Sequence, residues 1–418
     1  MAGGPHLPAP DAQNPPAPDA PRLLAPAAGA GPGAWQPPPL VYRGFFLNGS
    51  GYGEESRGLA QELIRRGYAL RVDPVGPADP AALGPPELAF WQGLAAAPVD
   101  PARAVHIVAQ PPGMAQRPAA APWAVLRTMF ETEVLPREWV QPMSRFDAVW
   151  VPSEQNRQAF VAAGLPGDRV RVVPGGVDPD RFRPGLAPLP LPMRRGFAFL
   201  SVFDWQYRKG WDCLVRAYAR AFGPEDDVVL YLKVTTSNKP VSPEAELAWY
   251  LRAEGIAPER MPPLVLLTRP LPAAEMPRLY ASADAFVLPS RGEGYARPYL
   301  EAMASGLPVI GTAWGGQADF LTPETGYPLR IQGIRPVPRY EPLEVYRGLR
   351  WAEPDADHLV DLLREVWNNR EAARQRGRRA RQQVVERWSV AAAADRLEAA
   401  LRDLVEESGE YGRSGREG

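Results

Sequence analysis

The chain has 418 residues, 45% apolar and 23% charged, which is enough apolar material for two domains with separate cores. Its formal net charge of −1 excludes a general attraction to nucleic acid or to anionic membranes. The single cysteine, Cys213, excludes an internal disulfide and is predicted to be a core residue, and three scattered histidines predict no metal site. The sequence has neither a run of about eighteen apolar residues nor a signal-peptide pattern, so we expect a cytoplasmic protein.

The N-terminal part divides into a tail and a first domain. Residues 1–39 are rich in proline and alanine, which predicts a disordered tail. Residues 40–185 alternate apolar strands with helical or loop segments, which predicts a mostly parallel sheet covered on both faces. The predicted strands are 40–47, 68–72, 104–109, 123–128, 146–151 and 170–173.

A glycine-rich turn follows the first strand and leads into a helix predicted from Glu54. The bare backbone of Gly51 and Gly53 suits contact with a phosphate or a sugar, and we predict that both bind ligand; a tight turn without ligand is the alternative. In the dinucleotide-binding fingerprint a third glycine would replace Glu54, but Asp73 stands where a ribose-binding acid is expected. A nucleotide-dependent oxidoreductase therefore remains an alternative interpretation.

His106 is a second candidate in the first domain, because it occurs in a predicted strand just before a proline-glycine loop. A neutral imidazole at a strand end can hydrogen-bond a sugar hydroxyl, so we predict substrate contact, with a structural role as the alternative. Glu131 follows another predicted strand and offers a carboxylate at a loop.

A proline-rich segment, 183–192, predicts the hinge between the two domains, and ligand clefts favour such junctions. The second domain is predicted for residues 186–375. Its first loop carries Arg208 and Lys209, which could neutralise a departing diphosphate; a solvated basic pair is the alternative. Lysine is rare in this chain, where almost every basic residue is arginine. The strands predicted here are 197–203, 228–234, 264–268, 285–288 and 308–311.

The most informative pattern lies between the last two of these strands. A helix predicted from Pro298 to Gly306 is preceded by a loop that contains Glu293. In open α/β sheets ligands bind at such loops, where free N–H groups and the helix dipole favour phosphate. Glu293 and Glu301 frame the loop and could accept hydrogen bonds from the hydroxyls of a nucleotide sugar. The ordinary alternative is a solvated loop acid and a helix-favouring acid.

The string EGYARPYLEAMASGLPVI, which begins at Glu293, resembles the E-x7-E signature of retaining glycosyltransferases of the GT-B fold, family 4. The resemblance implies an α/β protein with two Rossmann-like domains whose parallel sheets face each other across a cleft. It implies that Glu293 faces the transferred sugar, that Glu301 holds the donor's ribose hydroxyls, and that the backbone of Gly294, Tyr295 and Ala296 binds the diphosphate. Ala296 departs from the pattern, which has a second glycine there.

Other segments resemble the same family, so that the resemblance covers roughly residues 41–405. It implies that Glu131 meets the acceptor and that Arg208 and Lys209 form the family's R/K-G element, although Asp204 replaces a more distant arginine. The donor base would rest against the loop that contains Leu271. These segments are 128–136, 149–153, 172–178, 204–210 and 269–272.

The resemblance implies transfer of a sugar from a nucleoside diphosphate to a carbohydrate, lipid-linked or other hydroxyl acceptor, with retention and without a metal. The residues leave open whether a side chain acts as a covalent nucleophile or the leaving phosphate deprotonates the acceptor. Two alternatives remain: the oxidoreductase, and a non-catalytic sugar-nucleotide-binding protein, which Ala296 and Asp204 make conceivable.

The C-terminal part is predicted to be helical. Residues 376–405 form the C-terminal helices, of which the resemblance implies that the last packs on the first domain, and 406–418 form a frayed tail. The arginine run 374–381 is predicted to be a solvated helix face; the alternative is peripheral contact with an anionic membrane at the inner face. Residues 331–354 have no readable period.

Overall fold

The computed structural model describes residues 37–80, 82–119, 121–236, 241–339 and 344–414, the last eight of these by their backbone only. The predicted tail 1–39 lies almost wholly outside the described residues. No helix in the described ranges is long and apolar enough to cross a membrane.

The first sheet contains β1 (Leu40–Gly44), β2 (Leu70–Pro74), β3 (Val105–Ala109), β4 (Trp123–Arg127), β5 (Ala148–Val151) and β6 (Val170–Val172). All of its pairings are parallel, in the order β2-β1-β3-β4-β5-β6. These short strands are mostly buried, as expected where helices cover both faces of a parallel sheet. The helices of this half are α1 (Gly51–Arg65), α2 (Pro85–Ala95), α3 (Val140–Met143) and α4 (Glu154–Ala162).

The second sheet contains β7 (Phe197–Asp204), β8 (Val228–Thr235), β9 (Leu264–Leu267), β10 (Ala285–Leu288), β11 (Val309–Thr312) and β12 (Tyr327–Leu329). It is also parallel, in the order β12-β11-β10-β7-β8-β9. Two parallel six-stranded sheets with covering helices confirm the predicted α/β architecture. The helices of this half are α5 (Trp211–Ala221), α6 (Pro243–Ala253), α7 (Met276–Tyr280), α8 (Arg297–Ala304), α9 (Ala356–Asn368) and α10 (Arg370–Arg387).

The described residues 331–339 and 344–354, which we call the arm, include the antiparallel strands β13 (Ile331–Pro336) and β14 (Arg350–Pro354). The arm follows the second sheet in the chain but packs on the first domain. Its side chains join an apolar cluster of that domain, so the arm bridges the two halves. The arm contributes Val337, Tyr346 and Trp351, and the first domain contributes Phe130, Leu135 and Trp139 among others.

The chain crosses between the domains at two adjacent points. The N–H of Val177 donates to Trp388 O, and the N–H of Val390 donates back to Val177 O, each at 3.0 Å. After the second crossing, α11 (Val390–Ser414) packs its apolar face on α1 in the first domain. The predicted hinge 183–192 lies on the second domain instead, because leucines between its prolines pack there and Leu189 N–H donates to Ser282 Oγ at 2.7 Å.

Candidate active site

The loops that follow β4, β7 and β10 meet in the gap between the two sheets. Glycines make this approach possible: a side chain on Gly292 would lie 2.0 Å from the Glu131 carbonyl oxygen. A side chain on Gly294 would lie 2.8 Å from Met129 Cβ. The carboxyl ends of both parallel sheets therefore contribute to one buried site, as the topology predicts.

Two cations and two carboxylates occupy this site. Lys209 Nζ donates to both carboxylate oxygens of Glu293, at 2.7 and 2.9 Å. The guanidinium of Arg208 donates to the Gly292 carbonyl and lies 3.3 Å from Glu131 Oε1 and 3.7 Å from Glu293 Oε2. Arg208, Lys209 and Glu293 are all at least nine-tenths buried. The structure thus brings together the predicted cations with Glu293 from the second domain and Glu131 from the first.

Neighbouring groups keep the Arg208 guanidinium charged, and one of its N–H groups has no hydrogen-bond partner among the described residues. Burial would lower the pKa of the Arg208 guanidinium, but Glu131, Tyr346 and Glu293 raise that pKa overall. Burial lowers the pKa of Lys209, and the Glu293 carboxylate opposes that shift. The Nε of Arg208 is buried and has no hydrogen-bond partner among the described residues. A buried cationic N–H group without a partner can form a strong hydrogen bond with an oxygen atom of a bound anion.

The start of α8 lies in the same loop and has no side-chain cap. Ala296 adopts the left-handed conformation (φ 65°) that glycine favours, which turns the loop into the helix. The hydrogen bonds of the described residues include none donated by the N–H groups of Gly294, Tyr295 or Ala296. Uncapped N–H groups at a helix start are suited to a phosphate.

Glu301 lies on the first turns of α8 and is 6% exposed. Tyr280 donates its hydroxyl to Glu301 Oε2 at 2.9 Å, and Arg297 donates to Glu301 Oε1 at 3.1 Å. Burial, with the Glu301 carboxylate, raises the pKa of Tyr280 well above its usual value, so this hydroxyl remains a donor. Arg297 also donates to Glu54 of the first domain at 2.7 Å, which places Glu301 beside the gap between the domains.

The glycine-rich turn of the first domain differs from its prediction. The helix begins at Gly51, and Ser50 Oγ accepts a hydrogen bond from the Gly53 N–H at 3.1 Å. A side chain on Gly53 would lie 2.5 Å from Phe45 O and 2.6 Å from Asn48 O. Gly53 is therefore required for packing and its N–H is engaged in the cap, whereas Gly51 is exposed with open space around it.

The position of His106 does not fit the predicted substrate contact. It is the second residue of β3, at the amino-terminal edge of the sheet, and its Nε2 pairs with Pro101 O at 2.8 Å. The sequence interpretation placed His106 near the end of its strand, but three more strand residues follow it. Its side chain instead holds the turn that leads into β3.

Leu271 lies in the loop after β9, partly buried against the second core. That loop is held by Lys233, to which the sequence assigned no role. Its Nζ donates to Val234 O, Leu267 O and Arg269 O at 3.0–3.3 Å, at the carboxyl ends of β8 and β9. Burial lowers the pKa of Lys233 to about 8.

Sequence reasoning also missed the residues that support the site. Arg291 donates bidentately to Asp212 and to Glu353 of the arm, and its guanidinium lies 3.8 Å from the Tyr207 ring centroid. Tyr346, also on the arm, donates to Glu131 Oε2 at 2.9 Å. Arg297 could have been found from the sequence, because a basic residue four positions before Glu301, at the start of a predicted helix, can pair with it.

The architecture is the GT-B fold, as its likeness to solved structures shows. Sucrose-phosphate synthase from Thermosynechococcus elongatus has a TM-score of 0.64 at 18% identity, covering 88% of this chain and 99% of the other. Anabaena HepE, solved with UDP and glucose, has a TM-score of 0.60 at 14% identity and covers 88% and 100%.

Residues 194–332 match the family model described as Glycosyl transferases group 1, a segment that contains Arg208, Lys209, Glu293 and Glu301. D-inositol 3-phosphate glycosyltransferase from Segniliparus rotundus is 32% identical over 154 residues, 35% of this chain and 32% of the relative. A GDP-mannose-dependent alpha-(1-6)-phosphatidylinositol monomannoside mannosyltransferase from Mycolicibacterium smegmatis is 31% identical over 190 residues, 41% of this chain and 45% of the relative. The matched region thus spans less than half the length of these relatives.

Proposed function

We propose that this protein is a glycosyltransferase that moves a sugar from a nucleoside-diphosphate sugar to an acceptor hydroxyl, with retention of anomeric configuration. The observation that carries the proposal is the buried pairing of Arg208 and Lys209 with Glu293, beside the uncapped start of α8. Two fixed cations and free N–H groups suit a diphosphate, and carboxylates at both ends of the loop suit polyols.

The cations, N–H groups and carboxylates of the site would each have a role in the reaction. As the bond between the anomeric carbon and the diphosphate breaks, negative charge grows on the leaving oxygen. Arg208 and Lys209 would stabilise that charge, with the N–H groups of residues 294–296, so we propose that no metal ion is needed as counter-charge. Glu293 would accept hydrogen bonds from the transferred sugar while it stays paired with Lys209, and Glu301 would accept them from the ribose in exchange for the bond from Tyr280.

The similar proteins agree with a donor of this class. HepE was solved with UDP and glucose, and the mycobacterial mannosyltransferase is described as GDP-mannose-dependent. Because these names differ in the base, both UDP and GDP belong in the first test. We propose a carbohydrate or lipid-linked hydroxyl compound as acceptor, the latter requiring only peripheral membrane contact. Two arginines of the run on α10 are engaged within the protein, because Arg378 pairs with Glu371 and Arg381 donates to carbonyls.

The two alternative interpretations have less support. For the oxidoreductase, Asp73 would bind a ribose, but it pairs with Arg43 at 2.9 Å, and the Gly53 N–H is occupied by Ser50. For the non-catalytic protein, Asp204 is bonded to Thr235 Oγ1 at 3.1 Å at the strand ends, and Ala296 already has the backbone conformation of a glycine. Neither departure removes a group that the proposed reaction uses.

The test is nucleotide binding followed by transfer. Thermal shifts with UDP, GDP and their sugar conjugates should show stabilisation by one nucleoside diphosphate class, reduced in Lys209→Ala and Glu301→Ala. Glu371→Ala, which removes a surface carboxylate of α10, serves as the control and should shift like the parent. The anomeric configuration of the transferred sugar, read by NMR, tests retention. Equal shifts in the parent and both site variants would contradict the proposal.

A further inference from the structure

The site is already electrically balanced without a donor. Two cations face two carboxylates: Lys209 pairs with Glu293, and Arg208 lies 3.3 Å from Glu131 and 3.7 Å from Glu293. A diphosphate would add about two negative charges to a buried site whose cations are neutralised, and burying unpaired charge is costly. Donor binding, as proposed above, therefore requires one of the two carboxylates to move away from the cations.

Glu131 is the carboxylate that can leave. Lys209 and Glu293 belong to the same domain and remain together when the domains separate. Glu131 follows β4 in the first domain, so its contact with Arg208 breaks whenever the gap opens. The site must open to admit a donor, because Arg208, Lys209, Glu293 and Glu301 are each at most 9% exposed.

The arm holds Glu131 in this position. Tyr346 donates to Glu131 Oε2 at 2.9 Å, and its ring stacks on Phe130 with centroids 5.5 Å apart. The next acid on the loop, Glu133, donates its N–H to Arg350 O of the arm at 2.9 Å. Arg291 fixes the base of the arm to the second domain through Glu353. The arm and Arg208, both anchored on the second domain, therefore hold the loop that carries Glu131.

We propose that Glu131 is a built-in counter-anion, which neutralises Arg208 in the empty closed site, competes with the donor's diphosphate, and is positioned for this by Tyr346 of the arm. This inference rests on the proposed function, since it names the group that the donor displaces. It makes Glu131 an inhibitor of diphosphate binding, although it lies among residues that would bind the donor. Removal of its charge therefore strengthens binding, the opposite of what loss of an ordinary binding residue causes.

The test compares UDP and GDP with uridine and guanosine by titration calorimetry. In Glu131→Gln the nucleoside diphosphate should bind about tenfold more tightly, a coupling of ordinary size for interacting sites. Tyr346→Phe keeps the stacked ring and should tighten binding about threefold, the effect of one lost hydrogen bond. The nucleosides should bind each variant as they bind the parent, because they lack the competing charge.

Two controls separate competition from a general loosening of the domains. Glu54→Gln breaks a different ion pair across the gap, with Arg297, but leaves Arg208 paired. Glu133→Gln changes a neighbouring, half-exposed acid on the Glu131 loop. Neither should raise the ratio of nucleoside diphosphate to nucleoside affinity.

Three outcomes would overturn the inference. It fails if folded Glu131→Gln binds the diphosphate as the parent does or more weakly, or if Glu54→Gln raises the ratio equally. In both cases the proposed function stands as long as Lys209→Ala weakens binding. If the parent binds neither UDP nor GDP, the proposed function fails first and the inference falls with it.

Discussion

The starts of α1 and α8 each follow a buried strand of a parallel sheet, and they differ in what their N–H groups do. At α1 the protein's own side chains engage the turn: Ser50 caps the Gly53 N–H, and Arg57 donates to the carbonyls of Phe46 and Asn48. At α8 no side chain caps the helix, and cations and carboxylates surround the loop instead. Glycine content is similar in both turns, so it does not decide which one can bind an anion.

The comparison shows what a ligand-binding helix start requires. A capped start gains about 1 kcal/mol of stability from its side chain, which occupies one of the N–H groups that a ligand would need. An uncapped, buried start leaves donors unsatisfied, which is a cost unless a ligand supplies acceptors. The four predictions that follow test this difference, beginning with the largest expected effect.

Lys209→Ala, which removes a cation beside the α8 turn, should nearly abolish sugar transfer. Loss of a buried cation beside a developing phosphate charge should lower kcat/KM about 100-fold, or by about 3 kcal/mol of transition-state stabilisation. The same variant also leaves Glu293 buried without its partner, so Lys209→Arg is the matched variant that retains charge. Steady-state transfer assays check this; activity within threefold of the parent in Lys209→Ala would contradict the assigned role.

Gly53→Ala should destabilise the α1 turn strongly, whereas Gly51→Ala should not. The added methyl at residue 53 would overlap the carbonyls of Phe45 and Asn48, and such overpacking costs about 3 kcal/mol. At residue 51 the methyl meets open space, so stability should change by less than about 0.5 kcal/mol. Urea denaturation measures both; equal stability of the two variants would refute the packing role of Gly53.

Ser50→Ala should separate stability from ligand binding. Loss of the cap should lower the free energy of unfolding by about 1 kcal/mol. Affinity for UDP or GDP should remain within twofold of the parent, because the diphosphate is assigned to the start of α8 and not to the α1 turn. A large loss of nucleotide affinity in a folded Ser50→Ala protein would show that the first-domain turn does bind the donor.

Ala296→Gly should produce the smallest change, at the α8 turn. The left-handed conformation costs an alanine about 1 kcal/mol, and the greater freedom of glycine in the unfolded chain offsets about half of it. We therefore expect a gain of about 0.5 kcal/mol in the free energy of unfolding, with transfer activity retained. A loss of stability would contradict the strain assigned to Ala296. As a comparison, Ala304→Gly in the core of the second domain should lower the free energy of unfolding.

The sequence predicted the parts of the molecule whose signal is local. Strands β7 to β11 are apolar runs, so each was predicted within a residue or two of its observed bounds. The α8 loop was predicted from one contiguous string. For Gly53, the sequence shows a glycine but not the carbonyls of Phe45 and Asn48 that require it. For His106, the error was one of position along a strand, because the strand edge that a residue occupies depends on register.

The packing of the arm could not be predicted, because its contacts are with residues far away in the sequence. Tyr346 and Trp351 pack with Phe130 and Trp139, about two hundred residues earlier, so their apolar character has no local period. The role of Glu131 depends on the same long-range contact. A carboxylate that pairs with Arg208 across the gap looks in the sequence like any acid on a loop.

The return of α11 to the first domain means that this domain is built from two separate pieces of polypeptide. Leu397, Leu401 and Leu404 pack in the same cluster as Leu59 and Leu63 of α1. A fragment that ends near residue 185 would therefore be produced with an uncovered apolar surface, and it should aggregate unless a peptide spanning 390–406 is supplied in trans.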